Sequence, residues 1–483
     1  MAEILKNYIN GTWTESSSSE QLDVTNPATG AVLSHVPMSK TSDVDAAVNA
    51  ASKAFESWRS VPPVQRARYL FKFKALLEEH KEEIATICTK EHGKTLAESL
   101  NDLGRGIENV EHACGIPALM LSQNLENVAS GIDCSATRQP LGVFAAITPF
   151  NFPPMVPLWF LPYAIATGNT FVLKTSEQVP GTWMRIMELL HETGLPEGVV
   201  NMVHGGKEVV ERMCTHPDVE GVSFVGSSKV AQIVYETASK HGKRVQALGG
   251  AKNHMVIMPD AVMEPSVENA SASAYGCAGQ RCLAGSVAVA VGDAYEEVRD
   301  GLIKAVNAIK VGDGLDKETT MGPVISQAAK ERIEKMIAVG VEEGAELLID
   351  GRGCSVEGCD DGYWVGPTLF DKVKPSMRIA QEEIFGPVLS LVHVKDLDEA
   401  IEFLNSSNYG NATTIFTSSG KAAREFKVQC NPAMLGVNIG VAAPMAFFPF
   451  GGSKDSFFGD TKAHGPDAIS FYTDRKVSIE RWF

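Results

Sequence analysis

No C-x-x-C pair and no histidine cluster at ligand spacing occur in the sequence, although it holds nine cysteines and 11 histidines. That pattern disfavours a structural zinc site, so no metal is expected. An odd number of scattered cysteines in a chain this long also argues against a disulfide framework. Positive charge is scarce: 43 Lys and Arg face 59 Asp and Glu, for a formal net charge of −16. Nucleic acid and anionic membrane both call for a basic face, so neither is an expected partner. An anionic small molecule stays open, because one local arginine outweighs a distant field that salt screens.

Long apolar runs are missing too. The best candidate, residues 155–174, is broken by Pro157, Pro162 and a Gly-Asn pair, and falls short of the ~18 apolar residues of a membrane span. The opening stretch, MAEILKNYINGTW, has neither the layout of a signal peptide nor an Arg/Ser-rich transit composition. The expectation is a cytoplasmic protein, or a mature form already processed. No internal repeat is evident, and ESSSSEQ at 15–21, the one low-complexity tract, reads as a hairpin loop.

With 44% hydrophobic and 21% charged residues over 483 positions, the composition suits an ordinary globular protein of two or three domains. Residues 42–118 read as mostly helical. TSDVDAAVNAASKAFESWRSVPP has cap-like residues, an apolar stripe of helical period and a stop at paired prolines. From 141 to 262 the short apolar runs GVFAAITP, TFVLKTS, GVVNMVHG, GVSFVGS and HMVIMPDA alternate with helical stretches. This is α/β patterning, a parallel sheet covered on both faces. Residues 263–450 repeat the style with different spacing and read as a second α/β domain. Segments near 124–140 and 466–483 are left over. The second alternates weakly and suits either a strand paired with a neighbouring subunit or a packed tail.

Polar residues gather at the strand ends of the first block, where ligands of parallel sheets sit. TPFNFP places Thr148, Phe150 and Asn151 at one end, and KTSEQ places Lys174, Glu177 and Gln178 at another. In VGSS, Gly226 and Ser227 open a helix whose first amides attract phosphate. No G-x-G-x-x-G fingerprint is present, and each end alone is compatible with ordinary loop and cap chemistry. Together they point to a nucleotide. Lys174 and Glu177 suit the two ribose hydroxyls, and the carboxylate disfavours a 2′-phosphate, so NAD is expected over NADP. In AYGCAGQRCLAG, Cys282 is open to two readings, a buried small hydrophobe or a reactive thiolate.

The motifs TPFNFP, LKTSE, FVGSS, LGGAKNH, GQRC, EEIFGPV and PFGGSKDSFFGD follow the order and spacing of the aldehyde dehydrogenase superfamily, which the whole chain resembles. The resemblance implies an α/β fold with a Rossmann-type NAD-binding domain (1–123 and 141–250) and an α/β catalytic domain (251–450). Residues 124–140 and 466–483 would form a small β bridging segment, in a homodimer or homotetramer. It implies Cys282 as nucleophile and Asn151, with the Cys282 amide, as donors to the developing alkoxide. Gly249, Glu383 and Phe385 would join the cofactor site, Glu383 holding the nicotinamide ribose. Cys277 matches no family role and reads as structural.

One departure points to a subtype. Hydrolytic members carry ELGG, whose glutamate activates water; here Ala247 stands in that place. Without a base, water should attack the thioester some 10²–10⁴-fold more slowly. A thiol needs less help, which implies coenzyme A as co-substrate. This departure, with GQRC and GRGIENVEHACG, resembles the CoA-acylating methylmalonate-semialdehyde dehydrogenase branch. There Arg105 and Arg281 would hold the carboxylate of a small semialdehyde, as planar, always-charged forks do well. Surface salt bridges, to Glu108 or another acidic residue, are the alternative for both. The implied activity is oxidation of methylmalonate or malonate semialdehyde with decarboxylation, giving propionyl-CoA or acetyl-CoA. The rival readings are a hydrolytic aldehyde dehydrogenase that recruits another base, and a catalytically silent protein that keeps the fold.

Overall fold

Four helices, Thr41–Trp58, Pro63–Glu79, Lys81–His92 and Leu96–Cys114, build the first helical layer of the computed structural model, which describes residues 2–483. In the first of them Val44, Ala47, Val48, Ala51, Phe55 and Trp58 recur at helical spacing, and all are buried. Trp58 ends that helix with its indole N–H donated to the Ile165 carbonyl at 3.1 Å. Pro63 then opens the next one, at a first-turn position where no amide is missed.

An eight-stranded sheet follows. Its order is Phe457–Gly459, Arg244–Leu248, Val219–Val225, Val143–Ile147, Thr170–Lys174, Val200–Met202, Asn7–Ile9 and Thr12–Thr14. The five inner strands run parallel, and the edge elements pair antiparallel. Every residue of Val143–Ile147 and Thr170–Lys174 is buried, as expected of strands covered on both faces. The strand Arg244–Leu248 has no apolar run to announce it. Its buried Gln246 donates from Nε2 to Ser223 Oγ at 2.8 Å.

A seven-stranded sheet takes Glu346–Ile349, Thr368–Asp371, Val388–Val394, Gly285–Val291, Asn253–Ile257, Ala412–Phe416 and Met434–Val437 in that order. All its pairings are parallel except the first. Cys282 lies just before Gly285–Val291, at the amino edge of this sheet, whereas the polar strand ends of the first sheet lie at its carboxyl edge.

Two readings need amendment. The serine run at 15–20 does not close a hairpin. It joins Thr12–Thr14 to Gln21–Thr25, a strand of a separate three-stranded sheet. Ser17 is held there by Asp43 of the first helix, which accepts from its hydroxyl at 2.6 Å and its amide at 3.1 Å. The terminal strand Thr473–Arg481 pairs within its own chain, antiparallel to Ile132–Pro140, which in turn pairs with Gln123–Ala129. Among the described residues no helix is long and apolar enough to cross a membrane.

Asn169 locks these layers together. Its Oδ1 accepts from the amides of Leu141 (2.7 Å) and Gly142 (3.0 Å), and its Nδ2 donates to the Tyr472 carbonyl at 2.7 Å. Fully buried, it serves three segments far apart in sequence. Asn169→Ala would leave those groups unpaired and should cost on the order of 3 kcal/mol. A urea midpoint shifted by less than a third of that equivalent would contradict this role.

Candidate active site

The helix Leu96–Cys114 turns one stripe of side chains towards a cavity of about 340 Å³: Glu98, Asp102, Arg105 and Asn109 recur along it every three or four residues. Cys277, Arg281 and Cys282 face them from the loop before Gly285–Val291. Both arginines singled out in the sequence therefore share one cavity with the expected nucleophile. Each is also paired: Arg281 Nη2 donates to Glu98 Oε1 at 2.9 Å, and Arg105 Nη1 to Glu108 Oε2 at 2.6 Å. The salt bridges and the cavity placement hold together, and an incoming carboxylate would compete with glutamate for each guanidinium.

Cys277 does more than fill space. Its Sγ accepts from Arg281 Nε at 3.3 Å, and its amide donates to Glu98 Oε1 at 2.7 Å, so it fixes the plane of the arginine. Cys277, Ala278 and Gly279 all take left-handed backbone, with φ of 50°, 51° and 70°. A glycine is required at the last, because a Cβ on Gly279 would stand 2.0 Å from the Gly386 carbonyl oxygen. Beyond this turn, buried Gln280 accepts from the Ile325 amide at 3.0 Å. The Cys282 carbonyl accepts from Nδ2 of Asn253 (2.8 Å) and of Asn411 (2.9 Å). The nucleophile thus sits on a tightly tied backbone.

Burial pushes the Cys282 thiol up to about 12, and the Glu383 carboxylate adds to this. The amides of Cys282 and Leu283 and the Arg281 cation pull the other way. Asn151, buried, donates from Nδ2 to the Gln280 carbonyl at 3.0 Å, which brings it to the nucleophile loop. Its own carbonyl accepts from Lys94 Nζ at 2.7 Å, and Lys94 pairs with Asp102 at 2.8 Å with both side chains fully buried. Burial would strip Lys94 of its proton, but Asp102, Cys277 and Cys88 outweigh it and the group stays charged. Asp102 also accepts from the Met155 amide at 3.1 Å. Neither member of this pair was anticipated. The available signal was the four-residue step from Glu98 to Asp102 on the stripe that carries Arg105.

The Aldehyde dehydrogenase family pattern matches residues 13–478. The chain belongs to that family. A malonate-semialdehyde dehydrogenase of Halalkalibacterium halodurans is 51% identical over 480 residues, covering 99% of each chain. The methylmalonate-semialdehyde dehydrogenase of Oceanimonas doudoroffii superposes with a TM-score of 0.98 at 46% identity, covering 100% of this chain and 99% of that one. A Sinorhizobium meliloti structure complexed with NAD gives 0.99 at 43% identity, covering 100% and 98%.

As an aldehyde dehydrogenase the chain needs a dinucleotide site, and the residues present fit one. Lys174 Nζ donates to Glu177 Oε2 at 2.6 Å. Burial alone would raise Glu177, yet Lys174 outweighs it and holds the carboxyl below its ordinary range. Gln178 follows, half-buried, with its amide on Ser176 Oγ. Thr148 ties its own strand end to the Lys174 carbonyl, its amide donating at 3.1 Å. Phe150 meets Phe385 edge-on with ring centroids 5.9 Å apart. Gly226 and exposed Ser227 precede the helix Ser228–Lys240, whose first amides receive no side-chain cap and stay available to phosphate. Glu383 Oε1 accepts from the Ala251 amide at 2.9 Å, and burial raises its carboxyl to about 7. Gly249 is buried against the start of the helix Ser228–Lys240: a Cβ there would stand 2.6 Å from the Asp455 carbonyl oxygen and 2.7 Å from Ser228 Oγ. Its neighbour Gly250 leaves the room that Glu383 occupies, since a Cβ there would lie 2.4 Å from Oε2.

A thiol held near 12 is protonated at neutral pH, so slow alkylation without cofactor is what this fold dictates and says nothing against catalysis. Iodoacetamide labelling of Cys282, mapped by peptide mass spectrometry, should rise about tenfold per pH unit from pH 7 towards the thiol pKa. A rate flat between pH 7 and 9 would mean that the thiolate already exists.

Proposed function

We propose that the chain is an NAD-dependent, CoA-acylating dehydrogenase of malonate semialdehyde or methylmalonate semialdehyde, releasing carbon dioxide and acetyl-CoA or propionyl-CoA. The observation that carries this reading is a nucleophile cavity with two arginines and no free carboxylate. Ala247 is fully buried between its ladder partners Phe224 and Phe458. Of the cavity's own acids, Glu98 is taken by Arg281 and Asp102 by Lys94. None is left to draw a proton from water.

The Cys282 thiol gives up its proton to water and the thiolate adds to the aldehyde carbon. The carbonyl pair moves to oxygen as the thiohemiacetal alkoxide, to which Asn151 Nδ2 and the Cys282 amide donate. Bound NAD supplies the hydride acceptor, with Lys174, Glu177, Ser227 and Glu383 the residues that would hold it. Loss of the hydride leaves a malonyl-type thioester on Cys282. Arg105 and Arg281 orient its carboxylate. As carbon dioxide departs, the bonding pair enters the thioester carbonyl to give an enolate, which takes a proton at carbon. The coenzyme A thiolate then attacks the carbonyl, and the Cys282 thiolate leaves.

The same reading assigns 1–123 and 141–250 to NAD binding, together with the strand Phe457–Gly459, and 251–450 to catalysis. Residues 124–140 and 466–483 become a bridge between copies in a homodimer or homotetramer. The exposed apolar side chains of that sheet support this, with Leu125, Val477, Ile479 and Trp482 all more than half exposed. A cytoplasmic location goes with the reading.

NADH formation from either semialdehyde should fall by roughly 10²-fold or more when coenzyme A is withheld. With it, mass spectrometry should find the shortened acyl-CoA. Sustained turnover to a free carboxylic acid without coenzyme A would replace this function with the hydrolytic one.

A further inference from the structure

We propose that His464 is a third donor to the substrate carboxylate, beside Arg105 and Arg281, and a specificity-determining residue of the cavity. The proposal rests on the carboxylated-substrate reading above. His464 lines the cavity at 3% exposure, and neither of its ring nitrogens has a hydrogen-bond partner. Buried polar groups are nearly always paired, so an imidazole with both nitrogens idle beside a ligand cavity calls for a ligand.

The backbone adds a second, independent sign. His464 has φ 65° and ψ 175°, a conformation that side chains other than glycine rarely adopt. Its surroundings hold it there. Ala463 exchanges two backbone hydrogen bonds with Phe450, at 2.7 and 2.9 Å, and the His464 carbonyl accepts from the Ala468 amide at 3.0 Å. The ring lies edge-on to Trp159, centroids 4.9 Å apart, and tilted against Phe450 at 5.4 Å. Phenylalanine would make both of those contacts. What it lacks is the N–H.

The chemistry of the neighbours narrows what that N–H can bind. Arg105 and Arg281 carry donors only and are already engaged with glutamates. Burial, Arg105 and His112 hold the imidazole down to about 3, so it is neutral and offers one donor without a further charge. A carboxylate has about four lone-pair sites, and two guanidinium groups that keep their contacts with Glu108 and Glu98 do not fill them all. A neutral third donor also disfavours aldehydes without an acceptor at that end, because its N–H then stays buried and unpaired.

The test compares kcat/KM for malonate semialdehyde and for propanal in the wild type, His464→Phe and His464→Asn, with coenzyme A present. His464→Phe should lose about 10- to 100-fold on malonate semialdehyde, chiefly through KM, and far less on propanal. His464→Asn keeps an N–H donor, so it should recover part of the preference. Equal losses on both aldehydes, or an unchanged preference in both variants, overturn the role of His464 alone. A wild type that handles the two aldehydes alike overturns the carboxylated-substrate reading, and His464 with it.

Discussion

The ion pair between Lys94 and Asp102 holds the site in one piece. Both side chains are fully buried, and together they join three separate parts of the chain. Asp102 belongs to the helix that carries Glu98 and Arg105, Lys94 grips the Asn151 carbonyl, and Asp102 also receives the Met155 amide. Asn151 and the helix bearing Arg105 are therefore fixed by one pair of charges. Such pairs add little net stability, since each ion has been taken out of water, but losing either partner leaves an uncompensated buried charge. Their value here is geometric: the pair fixes the distance between the end that binds the carboxylate and the end where the carbonyl reacts.

Charge compensation runs through the rest of the cavity. Arg281 is shared between Glu98 and the Cys277 sulfur, and Arg105 between Glu108 and the Pro444 carbonyl. These contacts keep two cations affordable in a partly apolar space, and each can be exchanged for substrate oxygen. They also occupy the acids that could serve as bases. Where a hydrolytic relative uses a glutamate, this chain has a core alanine packed among Phe224 and Phe458. The acyl group on Cys282 is thereby left for a nucleophile that brings its own negative charge.

The family was legible because its motifs are short and their residue types are tied to its chemistry, and the same motifs pointed to Cys282, Arg105 and Arg281, which line one cavity. The parallel strands were legible where burial on both faces makes them continuously apolar, as in FVGSS and TFVLKTS. Arg244–Leu248 was not, since its buried Gln246 donates across the sheet to Ser223, a pairing no local pattern reveals. Lys94, Asp102 and His464 were missed for a related reason. Lys94 and Asp102 reach Asn151 and Met155 more than 50 residues away, His464 meets Trp159 and Phe450 only in the fold, and a lone charged or aromatic residue reads as ordinary surface. Gly249 lies inside a recognisable motif, and its missing Cβ makes room for both the Asp455 carbonyl and Ser228 at the start of the helix that follows Ser227. The serine run misled because Ser17 donates to Asp43 on a helix distant in sequence instead of turning a hairpin.

The central claim is that the acyl enzyme persists until a thiol arrives. Intact-protein mass spectrometry after mixing the enzyme with NAD and malonate semialdehyde, without coenzyme A, addresses it directly. The account predicts a stable acetyl adduct localised to Cys282, discharged as acetyl-CoA when coenzyme A is added. An unmodified Cys282 under continuing NADH production would contradict it, because water would then be reaching the thioester with the help of a base, for which Glu383, with its carboxyl near 7, would be the candidate.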